Sequence, residues 1–420
     1  MAMKREFILF GGLSILLAAM FVQMGTAFSL RMLIESACFA IIALGLTIQW
    51  GYAGLFNAGI MGFIAIGGFF SVLISFPVNE KFWGSDAPIG LAMVALYVVI
   101  GIALTWAASQ LHRLGLSKKL TAFVAIATGI IAYLAVISAL EPVANQIESH
   151  AGFIGGLGLP VIVGWLVGGI AAGVIAYYVG HICLGLRSDY LAIATLGIAE
   201  IIKAVLKNAD WLTNGTLTIS PLPWPVPTPN DIGFIAARAG YLALTVVMVV
   251  VFYLLLQRAY NAPWGRMMRA IRDNEISSAA MGKDVKGRRL EIFILGSILM
   301  GIGGAALVTS ARIFDPSGFL PLHHTFLIWV MVILGGSGNN LGAIFGAIFV
   351  YLIWIVSEPA TLVLFQAMQT YGHDWFDWQA PADLMSRALQ MRVFVIGLTI
   401  TLVLRHAPKG LIPEKIVQHK

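Results

Sequence analysis

The chain has 420 residues, 59% of them hydrophobic and 11% charged, with a net charge of +6 and a mean hydropathy of +0.89. A soluble domain carries roughly a quarter charged residues, so this composition excludes a water-soluble fold and calls for lipid around the chain. The basic excess lies in loops beside apolar runs, which excludes a nucleic-acid patch, and two cysteines inside apolar runs, Cys38 and Cys183, exclude both a disulfide framework and a zinc site.

Apolar runs of the length needed to cross a bilayer, about 20 residues, recur along the chain. Lys4 and Arg5 precede Phe7–Phe28, which is too long for a signal-peptide core and lacks a small-residue cleavage site, so it reads as a retained first span. Leu30–Trp50 follows, with Arg31 and Glu35 placed to pair one turn apart. The next segment, GYAGLFNAG (51–59), reads as a broken helix or re-entrant turn. Irregular backbone survives at membrane depth only under cover of protein or beside a cavity.

Pro88–Ser109 and Leu120–Leu140 are expected spans, with an acidic loop after the second that carries Glu141 and Glu148. Along Pro160–Leu184, the residues Gly164, Gly168, Ala172 and Ala176 form a small-residue ridge for close helix contact. Tyr190–Leu206 is less apolar and is kept as a crossing. After it, the proline ladder of 207–233 forbids a long helix. Phe234–Gln257 and Ile292–Ala311 are spans, the latter with a Ser297/Gly301/Ala305 ridge. A second Gly-rich break, GGSGNNLGAIFGA (335–347), carries a Gly338/Gly342/Gly346 ridge. A span then runs to about Ser357, a polar loop with Glu358, Asp374, Asp377 and Asp383 is expected over 358–390, and Met391–Leu404 is the last span. The fold class is all-α: a polytopic integral membrane protein of about eight to twelve transmembrane helices, including the Gly-rich broken or re-entrant segments. With both termini cytoplasmic, most Lys and Arg fall inside and most acids outside, as the positive-inside rule requires.

The stretch 258–291 stands apart, with eight Lys/Arg and four Asp/Glu between two apolar runs. It reads as two short helices. Trp264, Met267, Met268 and Ile271 form an apolar stripe beside Arg266, Arg269 and Arg272. Asp273 or Asn274 caps a second helix, and Gly282 stops it. Alternating apolar knobs, charges and small residues suit a groove on another protein better than a lipid surface.

Neither a G-x-x-x-x-G-K-[ST] phosphate loop nor an H-E-x-x-H pair is present. His323 and His324 are adjacent, which points their imidazoles apart, so they read as interfacial polar residues. Interrupted apolar segments in both halves of a membrane protein commonly flank the solute route. Asn57, Asn339 and Asn340 would add neutral polar groups there, or the glycines serve only tight turns and close packing. Glu200 lies within an apolar stretch, where a charge is costly and by default functional. It either lines a path or pairs with Lys203. So few buried charges argue that the driving energy arrives from outside the chain.

Several stretches, in order over nearly the whole chain, make the sequence similar to one family. They are GLFNAGIMGFIAIGGF (54–69), RSDYLAIATLGIAEII (187–202), WGRMMRAIRDNEISSAAMG (264–282), LGGSGNNLGAIFGA (334–347) and PKGLIPEK (408–415). It resembles the permease subunits of ABC importers for branched-chain amino acids, in the M-type (LivM-like) branch. There are departures. NGTLTI (214–219) replaces a Gly-Gly-Pro-Asn-Gly-like run, Asn57 stands where serine is common, and the acidic loop is long.

The resemblance implies a single permease domain over 1–420 in a bacterial inner membrane, with a cytoplasmic coupling loop at 258–291 and periplasmic loops at 207–233 and 358–390. It implies a related second permease subunit, two ABC ATPases and a periplasmic solute-binding protein as partners. The chain itself would be no enzyme and bind no cofactor, with ATP and Mg on the ATPases. ATPase coupling is expected at Arg266, Met268, Arg269, Ile271, Arg272, Asp273, Glu275, Ala279, Ala280 and Gly282. The path is expected at Asn57, Gly59, Thr195, Glu200, Asn339 and Asn340. The solute would be a branched-chain or related amino acid. Alternatives are urea, amides or aromatic acids carried by the same machinery, or an ion-coupled transporter built on Glu200.

Overall fold

The computed structural model describes residues 2–114, 117–376, 381 and 383–414. Among them there are no strands, only the isolated bridges Val78–Gly155 and Ile219–Phe314. Nine helices among the described residues are long and apolar enough to cross a membrane. They are Ala2–Met24, Thr26–Leu46 with its extension to Tyr52, Ala87–Ser109, Lys118–His150, Val161–Cys183, Phe234–Asn261, Val285–Ala311, Asn340–Phe376 and Leu384–His406. Two shorter apolar helices, Ile60–Ser75 and Pro321–Gly335, follow and precede the two Gly-rich breaks. The expected fold class is therefore the one observed: all-α and polytopic.

Of the nine, Thr26–Leu46 with its extension and Val285–Ala311 are the most buried, and they form the centre. Ile60–Ser75, Val161–Cys183, Phe234–Asn261 and Asn340–Phe376 surround them. Small residues set this packing, because lipid gives helices no hydrophobic reason to associate and close van der Waals contact must supply it. A Cβ on Gly67 would lie 2.0 Å from the Gly301 carbonyl oxygen, and one on Gly168 would lie 2.5 Å from that of Gly67. The ridge Gly164/Gly168/Ala172/Ala176 thus meets the first short helix and Val285–Ala311 along one seam. At the rim of the body, Arg31 and Glu35 form the expected pair at 2.9 Å, and the Tyr351 hydroxyl donates to Glu35.

Ala87–Ser109 and Lys118–His150 pair with each other and leave most of their apolar side chains outward, including Ile102, Trp106, Ile126 and Ile131. So large an apolar surface would aggregate a soluble protein; here it is the lipid face. Both cysteines are free and buried.

Three expectations change. Glu141-Pro142 and Glu358-Pro359 read as helix ends, yet both lie inside helices, Lys118–His150 and Asn340–Phe376. Beyond Pro359 an apolar run resumes (360–365), whereas beyond Pro142 the helix continues through the mixed stretch 143–150; a proline inside such a helix is tolerated where neighbouring groups satisfy the freed backbone. The expected acidic loop of 358–390 is thus mostly helix; Asp377 and the Asp374 side chain lie outside the described residues. The helix Ser188–Asn208, kept above as a crossing, is long enough for one, and just past its far end the Trp211 carbonyl accepts from the Ile154 amide in the loop before Val161–Cys183, but it is amphipathic and so is not counted with the nine. Finally, the helices flanking the charged stretch reach Asn261 and start again at Val285, which narrows the true interruption to 262–284.

Candidate functional site

The first break begins where Thr26–Leu46 widens into a π-turn, Thr47–Tyr52; the chain then runs irregularly to Gly59 before Ile60–Ser75. Its polar groups are stapled by side chains. Gln49 Nε2 donates to the Phe293 carbonyl (2.9 Å) and to Ser297 Oγ (3.2 Å), while Gln49 Oε1 accepts from Asn57 Nδ2 (2.8 Å). Asn57 Oδ1 accepts from the Gly59 amide (2.8 Å), and its carbonyl accepts from Trp329 Nε1 (3.0 Å). Thr195 Oγ1 accepts from the Ala58 amide (3.1 Å). Gly59 lets the helix Ser188–Asn208 approach, since a Cβ there would lie 2.4 Å from the Thr195 carbonyl oxygen. The aromatic rings of Trp50, Phe56 and Trp329 close over this knot, with centroids 4.4 to 5.5 Å apart.

Of the expected path residues, the structure therefore gathers Asn57, Gly59 and Thr195 into one knot. Asn57 and Thr195 are buried and spoken for by hydrogen bonds. Asn339 and Asn340 lie elsewhere, at the second break. Asn339 Oδ1 caps the helix Asn340–Phe376 by accepting from the Leu341 and Gly342 amides. Asn340 accepts from the Tyr52 hydroxyl (2.8 Å) and donates to Gln257 (3.2 Å). The two breaks touch backbone to backbone, because a Cβ on Gly51 would lie 2.4 Å from the Gly338 nitrogen.

Glu200 is separate from both. It does not pair with Lys203, and neither has an ion-pair partner among the described residues. Both face an open groove of about 590 Å³, lined mostly by apolar groups such as Phe326, Leu327 and Ile396. Among the described residues no cluster of His, Cys, Asp and Glu is arranged to hold a metal; the side chain of His323 is outside that set.

The charged stretch folds as Pro263–Asp273 and Glu275–Ala280. Pro263 stands at the first helical turn, where its missing N–H costs nothing. Asn274, rather than Asp273, is the cap, accepting from the Ser277 amide at 2.9 Å. Asp284 starts the next helix by accepting from the Gly287 amide.

One face of this loop is turned into the body. Met268 and Ile271 are fully buried, and Arg269 stacks over the Tyr260 ring at 4.0 Å. Arg272 reaches furthest: it donates to the Gly51 carbonyl at the first break and pairs with Glu414 at 3.0 Å. Burial alone would lower the pKa of Arg272, but Glu414 and Asp273 outweigh it and the net shift is upward.

The other face is exposed. It presents Arg266, Asp273, Ala279, Ala280 and Gly282, with Glu275 tied to Arg289 at 2.7 Å. Ile276 and Met281 are 83% and 79% exposed and stand out as apolar knobs that sequence reasoning passed over. Gln49, Tyr52, Tyr260 and Glu414 were missed as well. Gln49 carried a signal, as a polar residue late in an apolar run. The other three carried none, since their importance is a matter of who they meet.

These features define an all-helical, multi-pass membrane protein with two covered breaks and one amphipathic loop fastened to them. Residues 87–404, most of the chain, match the family described as branched-chain amino acid transport system/permease component, and the chain belongs to that family. It is 26% identical over 253 residues to a probable branched-chain amino acid transport permease protein LivM of Methanocaldococcus jannaschii, covering 59% of this chain and 67% of that one. It is 27% identical over 202 residues to the high-affinity branched-chain amino acid transport system permease protein LivM of Escherichia coli, covering 43% and 47%. The chain thus aligns with about half the length of the bacterial relative. No solved structure matches it.

Proposed function

We propose that this chain is the permease subunit of a binding-protein-dependent ABC importer in a bacterial inner membrane. It forms half of a path for branched-chain or related amino acids. A related second permease forms the other half, a periplasmic protein delivers the solute, and two cytosolic ATPases hydrolyse ATP. The chain itself is a single permease domain without catalysis, its termini and the loop 262–284 lie in the cytoplasm, and the Pro-rich segment 207–233 lies outside. Urea, amides and aromatic acids are alternative solutes.

One observation carries this reading. The loop exposes Ile276 and Met281 on one side, while on the other Arg272 grips the Gly51 carbonyl in the first break. A partner seated on the exposed knobs pulls on the break directly. Because the two ends of this linkage are rigid helices and the middle is a stapled irregular turn, the turn is where a pull is converted into a change of shape. The family's name and the LivM relatives support the amino-acid class.

The test is uptake of labelled leucine into liposomes containing the two permeases and ATPases, with binding protein added. Uptake that needs ATP and the binding protein is expected. Glu200, which has no ion-pair partner among the described residues, favours one second reading, an ion-coupled transporter. In that case the chain alone carries flux under an ion gradient, Glu200→Gln abolishes it, and the importer reading is sunk.

A further inference from the structure

The last described residues, 407–414, leave the helix Leu384–His406 and turn back into the body. Their backbone docks on the end of the short helix Pro321–Gly335. The Leu411 amide donates to the Leu334 carbonyl and the Ile412 amide to that of Gly335, both at 2.8 Å. Carbonyls at a helix C-terminus lack intrahelical partners, so the tail supplies what that helix end is missing. The fit is close: a Cβ on Gly410 would lie 2.4 Å from the Gly336 Cα. The Pro413 carbonyl accepts from Asn339 Nδ2 at 3.1 Å, and Ile412 is buried.

At Glu414 the tail carries a charge. The Glu414 side chain, only 14% exposed, accepts from the Tyr260 hydroxyl at 2.7 Å and pairs with Arg272 at 3.0 Å. Tyr260 in turn lies under Arg269 and against Tyr52, ring centroids 5.1 Å apart. One carboxylate thus joins four parts: the helix Pro263–Asp273, the end of Phe234–Asn261, the first break through Arg272 and Gly51, and the second break through the tail's own backbone.

We infer that the tail is a moving part of the transport cycle and that Glu414 is its latch, a positioning residue that makes both breaks follow the charged loop together. Arg272 by itself donates only to the first break, and that break meets the second at Gly51 and Gly338 and the helix Pro321–Gly335 at Trp329. Without Glu414, a pull on the loop would reach that helix only through these contacts, and its tail-capped C-terminal end would not be held to the loop by a charge. With it, the Arg272 guanidinium bridges the Gly51 carbonyl and the Glu414 carboxylate, so one displacement is passed to both short helices. A charged bond of this kind, shielded from water, holds more firmly than a surface pair. This inference rests on the importer reading for its cycle, but the latch itself is a property of the chain alone.

Two measurements on Glu414→Gln test it, with Tyr260→Phe as a second variant that removes one of the two bonds. The first is amide hydrogen exchange of the purified full chain. Losing a hydrogen bond to a charged group should speed exchange at Leu411 and Ile412 by about tenfold, with a smaller effect in Tyr260→Phe. The second is solute moved per ATP hydrolysed in the reconstituted complex, expected to fall about tenfold while ATP hydrolysis continues. Unchanged exchange overturns the latch. Faster exchange with unchanged solute per ATP overturns its part in transport and leaves the tail a passive anchor. If the unaltered chain shows no ATP-driven uptake, the importer reading fails, the part in transport falls with it, and the exchange measurement decides the latch alone.

Discussion

Gln49 and Asn57, eight residues apart and both fully buried, hold each other by a 2.8 Å hydrogen bond across the first break. Asn57 also satisfies the Gly59 amide, which the break leaves without a helical partner, and Gln49 ties the break to the Phe293 carbonyl on the helix Val285–Ala311. Irregular backbone inside a membrane protein is tolerable only when such partners exist. Gln49→Ala should therefore destabilise the chain by about 2 kcal/mol, because Asn57 Nδ2 and the Phe293 carbonyl are both left buried without this partner. Thermal unfolding in detergent micelles checks this, and an unchanged melting temperature would show that water takes over the role.

Close helix contact makes a second prediction. Gly67→Ala forces a methyl group against the Gly301 carbonyl oxygen, 2.0 Å away, and backbone on both sides leaves no side chain to yield. A loss of about 3 kcal/mol is expected. Gly12→Ala is the control: nothing lies within 4 Å of its added Cβ, and the change should stay within about 0.5 kcal/mol. The same unfolding measurement separates them.

Ile276 projects from the loop with 83% of its surface exposed and without a role in the fold. Ile276→Asp should leave unfolding unchanged and, if the proposed ATPases dock there, weaken assembly with them by about thirtyfold, the scale of a truncated interface anchor. Pull-down of the ATPases with titrated salt is the check. Equal capture by both forms would place the partner on another surface.

Arg272 offers a test of geometry against charge. Its guanidinium serves the Gly51 carbonyl and Glu414 at once. Both contacts come from Nη1 while Nε reaches Asp273 at 3.3 Å; lysine keeps the positive charge but has no second nitrogen to hold Asp273 and fix the plane of the group. Arg272→Lys should lower solute uptake per ATP by about tenfold, whereas Arg266→Lys, on the exposed face, should not change it. Matching behaviour of the two variants would mean that only charge matters there.

The loop shows how far local sequence reaches. Its two helices, the Asn274 cap and the Gly282 stop are legible because each depends on neighbours within a few residues. Which side faces out was not legible. Met268 and Ile271 look like knobs for a partner in the sequence, but Tyr260 and the first break lie beneath that face and bury both. The misread helix ends near Leu140 and Ser357 have a similar cause: acidic residues next to each span were read as a loop, yet both helices run on past them and past Pro142 and Pro359.

Composition and the spacing of apolar runs by themselves determined that this chain is an all-helical membrane protein with two interrupted segments and one amphipathic loop. Those properties are set by how single segments partition between water and lipid, and a segment carries that information alone. Only the tertiary structure decided that Gly51 meets Gly338, that Asn57 is a staple, and that Glu414 closes on Arg272. These partners are far apart in the chain or bound through third residues. They find each other because helices packed on glycine bring backbone, and the polar groups it carries, within hydrogen-bond reach.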